Sequence, residues 1–157
     1  MQYGDNYFMN LALEEAKKAA EADEVPVGAV IASGEGEIIS TAFNTVEKDG
    51  SCIMHAEIKA ILAAQKKLEN WRLDGCALYV TLEPCIMCCG AILLSRISKV
   101  IYGTIDPKGG SSGSILEGKI EIVHGIMEEK SSILLKSFFK SKRENIRYGK
   151  NMTDQQR

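Results

Sequence analysis

The chain lacks any run of about 18 consecutive apolar residues, the length a membrane-crossing helix needs, so no such helix is expected. It also lacks a secretory leader as its sequence reads: Met1 to Asn10 carries an acid, no basic residue and no apolar stretch. No internal repeat is present. Cysteines are not paired off, since there are five, an odd number. Two of them stand in a Cys-x-x-Cys, and Cys52, Cys76 and Cys89 are then free thiols, which fits a reducing, cytoplasmic setting. Histidine is scarce, with only two residues. His124 is isolated in a strand-like stretch and reads as structural, which leaves His55.

What remains is an ordinary globular composition, 45% hydrophobic and 25% charged. A chain of 157 residues can build one full core and is too short for two ordinary domains. Its net charge of −2 conceals an asymmetry. Residues 136–157 hold seven Lys/Arg against two Asp/Glu, whereas residues 1–135 hold 12 against 19. A basic end on an acidic body suits either a nucleic-acid contact or a solvated terminal helix.

The periodicities predict alternating helices and strands. Phe8, Leu11, Ala12, Ala16, Ala19 and Ala20 recur at three and four residues, giving an amphipathic helix over Tyr7–Ala22. Val25–Ala32 is a near-continuous apolar strand, turned by Ser33–Gly36 into a second strand over Glu37–Ala42. Asn44–Met54 is polar and aperiodic, a loop leading to His55. A helix follows, with Ile58, Ile61, Leu62 and Leu68 marking a face. Cys76–Thr81 is a third strand, and Pro84 stands where a helix can begin. Cys88–Leu94 is apolar around most of its circumference, which predicts a buried helix. Lys99–Gly103 and Ile120–His124 are the fourth and fifth strands, separated by Pro107–Ser114, a flexible loop by composition. A last helix is expected from Glu128 to about Ile146, with Leu134, Leu135, Phe138 and Phe139 inward. This alternation indicates a layered α/β domain with the sheet between helices.

Chemistry is concentrated between His55 and Cys88. His55-Ala56-Glu57 opens one helix and Pro84-Cys85-Ile86-Met87-Cys88 opens another. One imidazole and two thiolates make three zinc ligands, and three protein ligands leave a coordination position for water or substrate. Cys85 and Cys88 lie on adjacent positions of one helical turn, where the positive end of the helix favours thiolates. Glu57 follows two residues after His55, too close on a regular helix to share the ion sideways. It is instead placed to move protons, provided the ion sits near the helix end. Separately, Cys-x-x-Cys and His-x-Glu are weak signals; together they point to zinc-assisted hydrolysis over a purely structural site.

With His55-Ala56-Glu57-Ile58, Thr81-Leu82-Glu83-Pro84-Cys85-Ile86-Met87-Cys88, Gly90-Ala91-Ile92, Ser95-Arg96-Ile97 and Val25-Pro26-Val27-Gly28-Ala29-Val30 on the page, the chain closely resembles the bacterial tRNA-specific adenosine deaminases of the cytidine deaminase-like superfamily. H-x-E followed by P-C-x-x-C is the signature of zinc deaminases that attack the exocyclic amine of a base. The resemblance runs from Tyr7 to about Arg143. It implies a three-layer α/β/α sandwich with a central five-stranded mixed sheet, a homodimer, and conversion of adenosine to inosine at the wobble position of tRNA. It further implies that His55, Cys85 and Cys88 bind one zinc ion per subunit and that Glu57 is the catalytic proton shuttle. Asn44 would bind the target base or ribose, the Ala56 N–H would hold the base edge, and Val25, Leu82 and Pro84 would line the pocket. Asp106 matches a position near the nucleic acid, and the basic last helix would lie beside the anticodon stem-loop. The deaminase domain would then be residues 1–147, with 148–157 a basic, polar, disordered tail.

Two stretches depart from that pattern. Between Ser114 and Ile120 only Ile115-Leu116-Glu117-Gly118-Lys119 remains of a usually longer segment with a Leu-Asn-His element, and an Asp-Pro-Thr is missing ahead of His55. The shortened segment and acidic body favour a rival reading, deamination of a free base or nucleoside of the cytosine or guanine type. A non-catalytic zinc-stabilised module that binds RNA is a third, against which the intact Glu57 speaks.

Overall fold

The computed structural model describes residues 3–154, with side chains from Tyr3 to Gly149. Eleven elements follow in chain order among them: α1 (Asp5–Glu21), β1 (Gly28–Ala32), β2 (Ile38–Phe43), α2 (Val46–Asp49), α3 (Ala56–Leu68), β3 (Ala77–Leu82), α4 (Ile86–Leu94), β4 (Lys99–Thr104), α5 (Ser112–Ile115), β5 (Glu121–His124) and α6 (Glu128–Asp154). The five strands form one sheet in the order β2-β1-β3-β4-β5. β1 runs antiparallel to both β2 and β3, whereas β3, β4 and β5 are parallel to one another. The sheet is therefore mixed, and its parallel half is connected by α4 and by the α5 segment.

Strand alternation splits the interior in two. Ala29 and Ile31 of β1 and Leu78 and Val80 of β3 face a core shared with Ala56, Ala60, Ile61 and Ala64 of α3 and Cys89 and Ile92 of α4. Val30, Ala32, Tyr79 and Ile101 face the opposite side, against Phe8, Met9 and Ala12 of α1. Helices thus cover both faces, giving three layers. On the α1 side, Phe8 stacks on Tyr79 with ring centroids 4.9 Å apart, and the Tyr79 hydroxyl donates to Asp5 across 2.9 Å. The small residues of α1 bring its backbone onto the sheet. A Cβ on Gly28 would run into the Ala12 carbonyl oxygen and the Ala16 nitrogen, so only glycine lets β1 pass beneath the helix.

Several expected faces differ. Leu62 and Leu68 are exposed, and α3 buries Ala56, Ala60, Ala64 and Ile61 instead, because small side chains let the helix approach the sheet closely. α4 is not fully buried: Cys88, Cys89 and Ile92 face the core while Ile86 and Leu94 are 67% and 76% exposed. Phe139 is also exposed, though Phe138 is half-buried. The loop before His55 contains the one-turn α2. Pro107–Ser114, flexible by composition, is folded by hydrogen bonds of Gly110 N–H to the Asp106 carbonyl and Ser111 N–H to the Pro84 carbonyl, and runs into α5. The last helix passes its expected end at Ile146 and continues to Asp154, covering most of the predicted tail; 155–157 lie outside the described residues.

Replacing Gly28 with Ala should cost about 1–3 kcal/mol, the usual penalty of overpacking, because the obstructing atoms are backbone. Thermal unfolding checks it, and an unchanged melting temperature would mean that α1 is not pressed onto β1.

Candidate active site

Both ligand motifs sit at helix starts. His55 caps α3 with an extended backbone, φ −70° and ψ 153°, and Cys85 caps α4 with φ −74° and ψ 174°. Each comes in from a non-helical approach, after the α2 loop and after β3 respectively, and α3 and α4 pack beside each other. The cap position aims a side chain back over the first turn, where the unpaired N–H groups concentrate positive potential. Cys88 follows one turn into α4 and is wholly buried.

The result is a compact cluster. His55 Nδ1 lies 3.7 Å from Cys85 Sγ and 3.6 Å from Cys88 Sγ, and the ligand atoms of all three residues fall within 4.8 Å of one another. A tetrahedral zinc ion bonded at about 2.0–2.1 Å to nitrogen and about 2.3 Å to sulfur would hold such atoms about 3.6 Å apart. The donor set and its spacing therefore fit zinc without rearrangement. Glu57, in the first turn of α3, is buried, and its Oε2 makes no hydrogen bond. A carboxylate oxygen left bare in the interior costs about 1–3 kcal/mol, a cost that functional sites retain.

Electrostatics agree with the packing. Burial pushes the Glu57 carboxyl up to about 7, opposed in part by the His55 charge. Hydrogen bonds from Cys88 and His55 hold the Cys85 thiol down to about 3, so that it is a thiolate, while Cys88 is raised by its bond to Cys85 and by burial. The hydrogen bond to Cys85 also raises His55, against the opposing effect of burial. In the free protein the cluster thus carries negative charge on Cys85, which suits a cation.

The cluster opens onto a cleft of about 860 Å³. Of the residues singled out from sequence, His55, Glu57, Cys85, Asn44, Ala56, Val25, Leu82 and Asp106 all line it. Cys88 lies beneath. Pro84 is buried and outside the lining, where its carbonyl accepts from Ser111 N–H. Asn44 donates through Nδ2 to the Val25 carbonyl at 3.2 Å and accepts at Oδ1 from Val46 N–H at 3.3 Å. Asp106 accepts at Oδ1 from the N–H groups of Lys108 and Gly109, both at 3.1 Å.

Sequence reasoning missed part of the wall. Glu24 is buried and accepts from the N–H groups of Glu47 and Lys48, anchoring α2 at the cleft edge. Phe138, Phe139 and Lys142 of α6 form another side, with Lys142 paired to Asp23 at 2.6 Å. No local pattern announces these partners, because each pairing joins residues at least 23 positions apart.

Comparison with known proteins agrees with this geometry. Residues 2–104 match the cytidine and deoxycytidylate deaminase zinc-binding region. The chain is 46% identical to the tRNA-specific adenosine deaminase of Bacillus subtilis over 147 residues, covering 88% of this chain and 91% of the relative. It belongs to the tRNA-specific adenosine deaminase family. The corresponding enzyme of Aquifex aeolicus is 48% identical over 151 residues, spanning 91% of this chain and 99% of the relative. A solved tRNA:A34 deaminase, studied for A-to-I editing at the wobble position, superposes with a TM-score of 0.78 at 40% identity, covering 82% of this chain and 99% of that one. The cofactor of this deaminase family member is zinc.

Replacing His55, Cys85 or Cys88 singly with Ala should cut bound zinc below about a tenth of an equivalent, since two ligands cannot hold the ion as three do. Cys52→Ser, which removes an exposed thiol outside the cluster, should keep one. Elemental analysis of the purified proteins measures both, and full zinc in any of the three ligand variants would exclude that residue.

Proposed function

We propose that this chain hydrolyses adenosine to inosine and ammonia at the wobble position of a tRNA anticodon. The observation that carries the chemistry is the buried Glu57 carboxyl, its Oε2 without a hydrogen bond, beside a three-ligand cluster at the base of a cleft. The extent of the likeness to tRNA deaminases carries the substrate.

His55, Cys85 and Cys88 hold the metal. Bound zinc supplies Lewis acidity that makes water nucleophilic near neutral pH. Glu57 takes a proton from the attacking water and returns one to the departing nitrogen. Asn44 keeps one amide proton and one oxygen lone pair beyond its two internal bonds, and these meet the base or ribose. The Ala56 N–H, in the first turn of α3, has no acceptor within its helix and holds the base edge. Val25 and Leu82 supply apolar walls, and Pro84 stiffens the backbone entering Cys85.

The cleft is rich in carboxylates, which at first favours a small substrate over RNA. Most are already engaged: Glu24 by two α2 amides, Asp23 by Lys142, and Asp106 by its own turn. Lys48 remains at the wall for a phosphodiester, and the basic α6 extends the contact along the anticodon stem-loop. Residues 1–147 are the catalytic unit. Helices α3 and α4 leave Leu62, Ile86 and Leu94 exposed, which supports a homodimer. No described helix is long and apolar enough to cross a membrane, and the free cysteines fit a cytoplasmic enzyme.

Glu57→Ala should keep its zinc and lose about 10²–10⁴-fold in turnover, the usual contribution of a positioned acid–base group. Kinetics with zinc quantified in the same sample test this, and an undiminished rate would remove Glu57 from the mechanism. Offering the enzyme a tRNA transcript beside free adenine, guanine, cytosine and their nucleosides should yield inosine in the transcript by mass spectrometry. Turnover of the small molecules alone would reject the tRNA reading.

A further inference from the structure

The residue just ahead of the Pro84-Cys85 turn makes contacts that the mechanism above does not use. Glu83 Oε1 accepts from the Ser112 hydroxyl at 2.6 Å and Oε2 accepts from the Asp106 N–H at 3.1 Å. Its own N–H donates to the Thr104 carbonyl at 2.9 Å. One carboxylate thus grips the segment 106–112 at both ends. Further bonds close the same seam: Ser111 N–H to the Pro84 carbonyl at 3.0 Å, and an antiparallel bridge between Cys85 and Gly110. The fit leaves no slack, since a Cβ on Gly110 would strike the Glu83 carboxylate and the Asp106 carbonyl. Ser112 is 3% exposed and also lies 3.1 Å from the Tyr102 hydroxyl, so this arm of the grip is sheltered from water.

The segment so held carries one cleft residue. Asp106 lines the cleft, yet its Oδ1 is spent on the N–H groups of Lys108 and Gly109, so its carboxylate shapes a tight turn. That turn carries the exposed Lys108, close in the chain to the exposed Ile105 that follows β4. A Gly- and Ser-rich stretch of this kind would sample many conformations if untied, and ordering it during binding would weaken affinity. Held in advance, it offers a fixed backbone and a lysine to a phosphodiester.

We propose that Glu83 is a positioning residue that locks the 105–112 loop in its substrate-receiving shape before the RNA arrives. Its part is in binding and not in proton transfer. The inference rests on the proposed RNA substrate for its consequence, though not for the grip itself.

The test compares Glu83→Ala, Glu83→Gln and the milder Ser112→Ala, each as the zinc-loaded full chain with metal content measured. Glutamine keeps the size, one acceptor and a donor that the Ser112 oxygen can receive, so it should restore most of the grip. In Glu83→Ala, amide hydrogen exchange across 106–111, followed without RNA, should quicken at least tenfold while zinc stays equimolar. On an anticodon stem-loop its KM should rise at least tenfold with kcat changed less than threefold. Ser112→Ala should shift both readouts in the same direction by less, and Glu83→Gln should return both to within about threefold of wild type. Unchanged exchange in Glu83→Ala, a loss confined to kcat, or a glutamine variant no better than alanine would each overturn the proposal. Should the wild-type enzyme form no inosine in RNA, the substrate reading would fall alone, because the exchange comparison needs no RNA.

Discussion

Everything catalytic in this protein depends on two helices starting at the same place. α3 and α4 arrive by different routes, one from the α2 loop and the other from β3, yet their caps, His55 and Cys85, stand within contact distance. A cap residue is held by the helix that follows it and by the strand or loop before it, so its side chain has little freedom. Two such caps, with Cys88 one turn on, make a rigid three-point grip. The same helix ends supply N–H groups and positive potential where negative charge is wanted. Burial then acts selectively: it raises Glu57 toward neutrality, whereas the bonds from its neighbours keep Cys85 ionised.

Behind the grip, close packing by small residues fixes the helices. Ala56, Ala60 and Ala64 let α3 lie against β1 and β2, and Ala12, Ala16 and Gly28 do the same for α1 on the other face. On the α1 side the bulk comes from Phe8, Met9, Tyr79 and Ile101. The sheet is consequently a stiff plate, and the active site is built at its edge from strand ends and helix starts. Ser40 adds a cross-tie, its hydroxyl donating to the Ala60 carbonyl at 2.7 Å and linking β2 to α3.

Much of this could be read from the residues in order. Strand positions, the β1–β2 hairpin and the two ligand motifs follow from local pattern, because periodicity and short spacing are local properties. The faces of α3 and α4 were not legible: Leu62, Leu68 and Leu94 look like core by hydropathy, but the interior went to Ala56, Ala60 and Ala64 in α3 and to Cys88, Cys89 and Ile92 in α4. The order of 107–114 was equally hidden, since composition reports freedom and not the carboxylate at Glu83 that removes it. Likewise, the α6 side of the cleft is made by a contact between Asp23 and Lys142, which no sequence window spans.

That last contact gives the cleft two walls of unequal stiffness. The α2 edge is tied by a buried carboxylate to two backbone amides, whereas the α6 edge is fastened by an exposed ion pair of the sort that contributes about 1 kcal/mol or less. Dissolved salt therefore loosens the Asp23–Lys142 fastening and leaves the α2 one untouched, while the packing of α6 on β4 and α1 keeps the helix in place.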